Sequence, residues 1–336
     1  MAPGASAPSR ESIDRCTEAI YTPMALRAAL QLEVFTKLAD GPKTSADLAR
    51  HLGVGQRRLE AVLYQLVLSE FLQLDGDLFS NSEVSDHYLV IGGPGYIGSV
   101  HALWTENWTG LLQTAESVRT NRPQAKLDFD TMSPEALGGF ISGLHGTTMS
   151  AGRGLATYFD FSKVRRIADV GGGSGGLSIA LCQDYPELSA TVFELPNIAS
   201  IAREVIAEAG LTDRISVETA DLLTEPLTGD FDVVVAKALF QVMSAKNART
   251  AIRNVGAALS DGGTFHIIGF ICDESRLAPK RCVGMNLQFI NVFEDGQAYT
   301  DVQYKDWLLA AGFTEIVQQP FRFPPGTSLL SARKSL

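Results

Sequence analysis

Apolar side chains between Arg15 and Leu38 (Ile20, Met24, Leu26, Ala29, Leu30, Val34, Leu38) recur near the spacing of one helical face. Gly41 and Pro42 end that segment. A short helix follows from Thr44 to Leu52, and Gly53 closes it. Another helix is predicted from Gln56 to Ser69 on the pattern Leu59, Val62, Leu63, Leu66 and Val67. FLQLDGDLFS then reads as two short strands around an Asp-Gly turn. Helix, turn, helix and hairpin together predict a winged-helix unit over 11–91. A helical linker over 92–160 carries Trp104, Trp108, Phe129 and Phe140, with loops at the GGPG run of 92–95 and at Arg122-Pro123.

From Arg165 the pattern changes. RRIADV, ATVFEL, ISVETAD, DVVVAKAL and GTFHIIGF are short apolar runs of strand type. Between them lie LSIALCQDY, IASIAREVIAEAG and NARTAIRNVGAAL, which have helical periodicity. Such alternation predicts an α/β domain over 161–336 with a doubly wound, Rossmann-like sheet, whose ligands bind beyond the carboxyl ends of the strands.

Composition narrows the function. The chain has 336 residues, 45% hydrophobic and 20% charged, and a net charge of −10. So acidic a surface argues against reliance on nucleic acid or an anionic membrane, because phosphate binding rests on cationic side chains. Arg57 and Arg58, where a recognition helix would begin, are weak counter-evidence. No apolar run is long enough to span a bilayer, and MAPGASAPSR lacks the apolar core of a secretion signal. Cys16, Cys182, Cys272 and Cys282 are far apart in sequence and lack metal-type spacing, so they are expected to be reduced thiols of a cytoplasmic protein, with no metal.

The chemistry begins at the glycine turn. Gly171, Gly173 and Gly176 satisfy G-x-G-x-x-G, a pattern that alone does not separate nucleotide cofactors. Glu194, ending the next strand, is placed to accept hydrogen bonds from ribose hydroxyls. Asp169 tips the choice. A carboxylate facing the turn would repel a pyrophosphate but can pair, directly or through water, with the ammonium of S-adenosylmethionine. Asp221 offers an acceptor to an adenine amino group, with Leu222 beside it to pack on the ring.

DVGGGSGG, FELPNIASIA, NVGAALSDGG and AYTDVQYKDWLLAAGF resemble the small-molecule O-methyltransferases of the caffeate and acetylserotonin type and their bacterial relatives. The resemblance spans about residues 15–330. It implies a class I methyltransferase domain, an N-terminal dimerisation domain, a homodimer, and a linker that helps to build the substrate chamber. It also implies cofactor contacts from Gly171, Gly173, Gly175, Glu194, Asp221, Leu222 and Lys237. Glu194 departs mildly from the pattern, where Asp is usual.

A larger departure follows the fourth strand. Counted from Lys237, the family's catalytic histidine falls on Gln241, and its two flanking carboxylates fall on Gly269 and Ala298. A glutamine has no useful pKa near neutrality and cannot serve as a general base. Three readings remain. The acceptor carries no proton to lose, as with a thioether sulfur. Alternatively His145, with His101 behind it, supplies the base, or the fold binds the cofactor without transferring its methyl group. The first accounts for all three losses together. The chain is similar, on that reading, to the bacterial S-methyltransferases of dimethylsulfoniopropionate synthesis, which methylate 4-methylthio-2-hydroxybutyrate. Such a substrate needs a cation or donors; Arg153, His145, Asn286 and Asn291 are the nominees. Trp104, Phe289 and Phe293 are either core residues or an aromatic cage for a cationic product. His266, mid-strand among apolar neighbours, is read as structural.

Overall fold

The computed structural model describes residues 8–93, 95–97, 101–129 and 131–335, excluding the side chains of 101–104 and 106. The chain divides into two compact units, with the boundary between Thr105 and Glu106.

In the first unit the expected long N-terminal helix is three: α1 (Glu11–Glu18), α2 (Tyr21–Gln31) and α3 (Val34–Leu38). The break before α3 falls at Glu33, whose φ of 57° is left-handed and cannot continue a right-handed helix. Then come β1 (Lys43–Thr44), α4 (Ser45–Leu52), α5 (Gln56–Leu68), β2 (Leu72–Asp75), β3 (Leu78–Asn81) and α6 (Glu83–Tyr88). Thr44 caps α4 by accepting from the Asp47 N–H, and Gly53 ends it in the left-handed region. The strands form a three-stranded sheet in the order β1-β3-β2. Phe35, Leu48, Leu63, Leu66 and Phe79 fill the core of this unit.

Helix α7 (His101–Leu111) crosses the boundary between the units, and α8 (Thr114–Thr120) and the 22-residue α9 (Pro134–Leu155) follow. The second unit then alternates β4 (Arg166–Val170), α10 (Gly176–Asp184), β5 (Ser189–Glu194), α11 (Pro196–Glu208), β6 (Ile215–Thr219), β7 (Phe231–Lys237), α12 (Ala245–Gly256) and β8 (Leu259–Gly269). It closes with α13 (Lys280–Val292), α14 (Asp301–Ala310), β9 (Phe313–Arg322) and β10 (Pro325–Lys334). The seven strands run in the order β6-β5-β4-β7-β8-β10-β9. Strands β4 to β8 are parallel and β10 is antiparallel to both of its neighbours. The carboxyl ends of β4, β5, β6 and β7 therefore open on one edge, where the chain order reverses between β4 and β7.

His266 lies in β8 opposite Ser331 of β10, and the Ser331 hydroxyl sits 2.8 Å from its Nδ1. Its ring meets Phe159 edge-on at 4.8 Å. Burial holds the imidazole neutral, with its pKa pushed down to about 3. Because the folded value is below the unfolded one, its contribution to stability is complete above pH 6.5 and is lost as pH falls toward 3. That linkage amounts to about 2 kcal/mol between pH 7 and pH 5. Reversible denaturant unfolding of His266→Leu should therefore lose about 2 kcal/mol less than the parent over that interval. Parallel pH profiles would refute the assignment.

Candidate active site

Strand β4 ends at Val170, and the chain turns through Gly171, Gly173 and Gly175, with φ of 65°, 60° and 73°, into α10. Three left-handed residues within five positions are accessible to glycine and strained for other residues. A Cβ built on Gly173 meets nothing within 4 Å, so the turn presents bare backbone to open space. The turn also ties two strands together. The Gly173 N–H donates to Glu194 Oε1 at 2.8 Å, and the Leu195 N–H donates to Glu194 Oε2 at 2.9 Å. Glu194 is buried at the end of β5, and burial pushes its pKa up despite those two donors. Its oxygens keep lone pairs free for a vicinal diol.

Asp169 lies one residue before the end of β4 and is 1% exposed. The Ser178 hydroxyl, in the first turn of α10, donates to its Oδ2 at 2.8 Å. Burial pushes the Asp169 pKa up to about 6, and the hydrogen bond and the Lys237 cation offset part of that cost. Lys237 closes β7, where burial pulls its pKa down and Asp169 acts in the opposite sense. The carboxylates, the lysine and the bare turn thus converge at the carboxyl ends of β4, β5 and β7. Asp221, just past β6, is exposed, and its Oδ1 accepts from the Leu223 N–H at 2.9 Å. Leu222 is buried in the hydrophobic cluster with Phe193, Leu227 and Ile252.

Helix α9 packs against the turn. His145 Nδ1 is 2.8 Å from the Ser174 hydroxyl, and a Cβ on Gly176 would come within 3.2 Å of that same nitrogen. The imidazole is half-buried, and burial lowers its pKa from the ordinary range. Arg153, two turns further along α9, is exposed at the surface.

On the other side of β7, a 3₁₀ turn at Phe240–Val242 carries Gln241, which is 6% exposed. Its Oε1 accepts from the Phe270 N–H at 3.2 Å. Gly269 leaves the necessary room, since a Cβ there would lie 3.1 Å from Oε1. Phe270, Phe289 and Phe293 stack in sequence, with centroids 6.0 and 5.6 Å apart, in a cluster with Ala298, Cys272 and Cys282. The sulfurs of Cys272 and Cys282 are in contact, because α13 folds back over the end of β8, and both are free cysteines. Asn286 accepts the Ala298 N–H through Oδ1 at 2.9 Å. Asn291 is buried and fully engaged by Ser117, Thr114 and the Leu287 carbonyl, which leaves it no free polar atom for a ligand. Its physical task is to pin α13 to α8. The side chains of His101 and Trp104 lie outside the described residues.

Sequence reasoning passed over Ser174 and Ser178. The signal was present: they are the hydroxyl residues of GGGSGGLS, and each reaches a titratable group already singled out. No group of acidic, histidine or cysteine residues suited to a metal occurs among the described residues, and no described helix is long and apolar enough to cross a membrane.

The fold and the turn define a class I methyltransferase, and comparison with known proteins gives the family. Residues 125–314 match the O-methyltransferase domain and residues 15–90 the O-methyltransferase dimerisation domain. The chain is 32% identical over 324 residues to the 3-hydroxy-5-methyl-1-naphthoate 3-O-methyltransferase of Streptomyces sahachiroi, covering 94% of this chain and 93% of the relative. It is 29% identical to the N,N-dimethyltransferase OxyT of Streptomyces rimosus, over 81% of each chain. The crystal structure of human N-acetylserotonin methyltransferase in complex with S-adenosylmethionine superimposes with a TM-score of 0.83 at 22% identity, covering 99% of this chain and 100% of that one. The protein belongs to the O-methyltransferase family and is an S-adenosylmethionine-dependent methyltransferase.

The residues present fit that cofactor: a bare-backbone cradle at Gly173, a carboxylate with free lone pairs at Glu194, and a buried carboxylate at Asp169 for a cationic end. When bound, the cofactor supplies an electrophilic methyl on a sulfonium. Asp169→Asn keeps an acceptor for Ser178 and removes the buried charge. Its ligand-free melting temperature should rise by several degrees at pH 7.5, corresponding to roughly 3 kcal/mol. The gain should shrink as pH falls below 6 and vanish below 3.8, where the parent carboxyl is protonated in both states. Calorimetric affinity for S-adenosylmethionine should fall at least tenfold. A variant no more stable than the parent, or one binding equally well, contradicts this role.

Proposed function

We propose that this methyltransferase acts as a homodimer on a small acceptor whose reacting atom carries no proton, a thioether sulfur, with 4-methylthio-2-hydroxybutyrate as the substrate and its dimethylsulfonio derivative as the product. The observation that carries the reading is Gln241. A carboxamide, already engaged through Oε1 with the Phe270 N–H, stands where the resemblance puts a base, and glycine and alanine stand at 269 and 298. Transfer to a thioether balances without a base. A sulfur lone pair forms the new S–C bond as the donor's C–S bond breaks, and the product sulfonium keeps every proton the substrate had. Only alignment and proximity are required. The aromatic cluster of Phe270, Phe289 and Phe293 lies beside Gln241, and its rings are of the kind that favour a cation such as a developing sulfonium. Family membership leaves the acceptor atom open, since one relative is named for oxygen and another for nitrogen.

A second reading has its own observation. His145 is half-buried with a lowered pKa, so it is neutral near pH 7, and its Nδ1 is committed to Ser174 while Nε2 forms no hydrogen bond among the described residues. A neutral imidazole with one free nitrogen is the form a general base takes. It would serve O-methylation of a phenol.

Methyl-labelled S-adenosylmethionine, offered with a panel of thioethers and a panel of phenols, separates the two. Labelled sulfonium from a thioether, with a flat rate profile from pH 6 to 9, is expected. His145→Gln should then change kcat less than tenfold. Label on oxygen, together with a loss of a hundredfold or more in His145→Gln, overturns the thioether reading in favour of the base.

A further inference from the structure

The acceptor side of the site holds two side-chain amides fixed in the same manner. Gln241 accepts a backbone N–H through Oε1, from Phe270, and Asn286 accepts one through Oδ1, from Ala298. A backbone N–H can be satisfied only by the oxygen end of an amide, so both side chains have a determined orientation and their NH₂ groups face away from the backbone. Neither NH₂ group has a hydrogen-bond partner among the described residues. Nor is either among the atoms sealed from solvent without a partner, which are those of Asn81, His266, Gln288, Asp301 and Gln318. Each is unpaired and still reaches open space.

The two amides share one neighbourhood. A Cβ on Gly296 would lie 2.7 Å from both the Gln241 carbonyl oxygen and Phe293 Cβ. Phe293 stacks on Phe289, which lies on the same helix as Asn286 and in one cluster with Ala298. The tethers come from the chain just after β8 and from the segment leading into α14, beyond the carboxyl ends of the parallel strands. This is the crevice edge that also holds the glycine turn.

We infer that Gln241 and Asn286 form a two-donor clamp for a carboxylate on the acceptor substrate. Neutral donors beside the cluster of Phe270, Phe289 and Phe293 complement an anion, while the nearby Arg281 guanidinium is committed to the Pro325 carbonyl and the face of Phe270. A hydrogen bond from a neutral donor to a charged acceptor is stronger than a neutral pair, and losing one costs roughly ten- to a hundredfold in affinity. The inference deepens the proposed function, whose substrate is a hydroxy acid, and it needs only the carboxylate and not the identity of the methylated atom.

The test is equilibrium binding to the dimeric enzyme saturated with S-adenosylhomocysteine, so no turnover is required. The probes are 4-methylthio-2-hydroxybutyrate against the methylthio alcohol that lacks its carboxyl, and 3-hydroxy-1-naphthoate against 2-naphthol. The variants Gln241→Glu and Asn286→Asp keep the oxygen that holds the Phe270 or Ala298 N–H, so the local fold survives while the donor becomes a repelling charge. The parent should bind the acid of at least one pair more tightly than its neutral partner. Each variant should weaken that acid ten- to a hundredfold and leave the neutral partner within about threefold. Equal binding of acid and neutral probe by the parent overturns the clamp, as do variants that shift both members of a pair alike. Preference for the naphthoate pair alone upholds the clamp while counting against the thioether substrate, so the two ideas fail separately.

Discussion

The methyltransferase unit is organised around two carboxylates buried at the ends of adjacent parallel strands. Burial raises the cost of ionising Asp169 on β4 and Glu194 on β5, and the charge of Asp169 adds to that cost at Glu194. Among the described residues neither makes a direct ion pair, and the Lys237 charge favours the ionised form of Asp169 without one. What satisfies them is the turn and helix that follow β4. The Gly173 N–H serves Glu194 and the Ser178 hydroxyl serves Asp169. For the Gly173 N–H to aim at the neighbouring strand, the backbone must pass through positive φ at 171, 173 and 175. The glycines are therefore a consequence of the carboxylates, and the bare cradle of backbone is a consequence of the glycines. A group whose own positive charge and hydroxyls complete this arrangement relieves an electrostatic cost that the protein carries alone.

Helix α9 is the second support. Gly152 lies so close to α10 that a Cβ would meet the Leu177 carbonyl oxygen at 2.7 Å, and a Cβ on Gly176 would come within 3.2 Å of His145. Small residues on both helices bring the imidazole against the turn, where it holds Ser174. Whatever chemistry His145 performs, it is built into the same hydrogen-bonded frame as the cofactor cradle. A substitution there acts on the turn as well as on any proton. For that reason an isosteric amide that keeps a contact to Ser174 reads the proton role more cleanly than alanine does.

The parallel strands were legible because they are buried on both faces, so that IADV and DVVVAK are continuous apolar runs, and helices in register with them alternate strictly. The turn was legible because few other sequences are so glycine-dense. The antiparallel pair β9 and β10 went unread. Strand β9 is solvated along much of its length, contains Pro320, and pairs only with β10, so its side chains obey neither a continuous nor a clean alternating pattern. The contact of Cys272 with Cys282 and the engagement of Asn291 with α8 were equally hidden, because both arise from where α13 docks and not from local sequence. That Gln241, Gly269 and Ala298 carry neither a base nor a carboxylate is plain from the sequence. That Gln241 Oε1 is committed to Phe270 is not, and this commitment turns an unexplained substitution into an oriented donor.

The charge distribution across the unit is then coherent. On the β4 and β5 side the buried groups are anionic, with one lysine between, which suits a ligand whose reactive centre is a sulfonium. On the β8 and α13 side the amides of Gln241 and Asn286 lie beside the aromatic rings, with the Arg281 guanidinium over Phe270. Placing two more carboxylates at 269 and 298, as a histidine base would require, would bring further buried negative charge beside Gln241 Oε1 and the thiols of Cys272 and Cys282. An acceptor atom without a proton removes the need for that charge. With it goes the need for a histidine to be held in one tautomer. What remains to be specified is the substrate's orientation, and fixed neutral donors supply that at less desolvation cost than a charged pair. On the proposed reading, the amide at 241 and the pinning of both amides serve one end, in which the electrostatic work of the site is to hold an anion in line with the methyl group and not to move a proton.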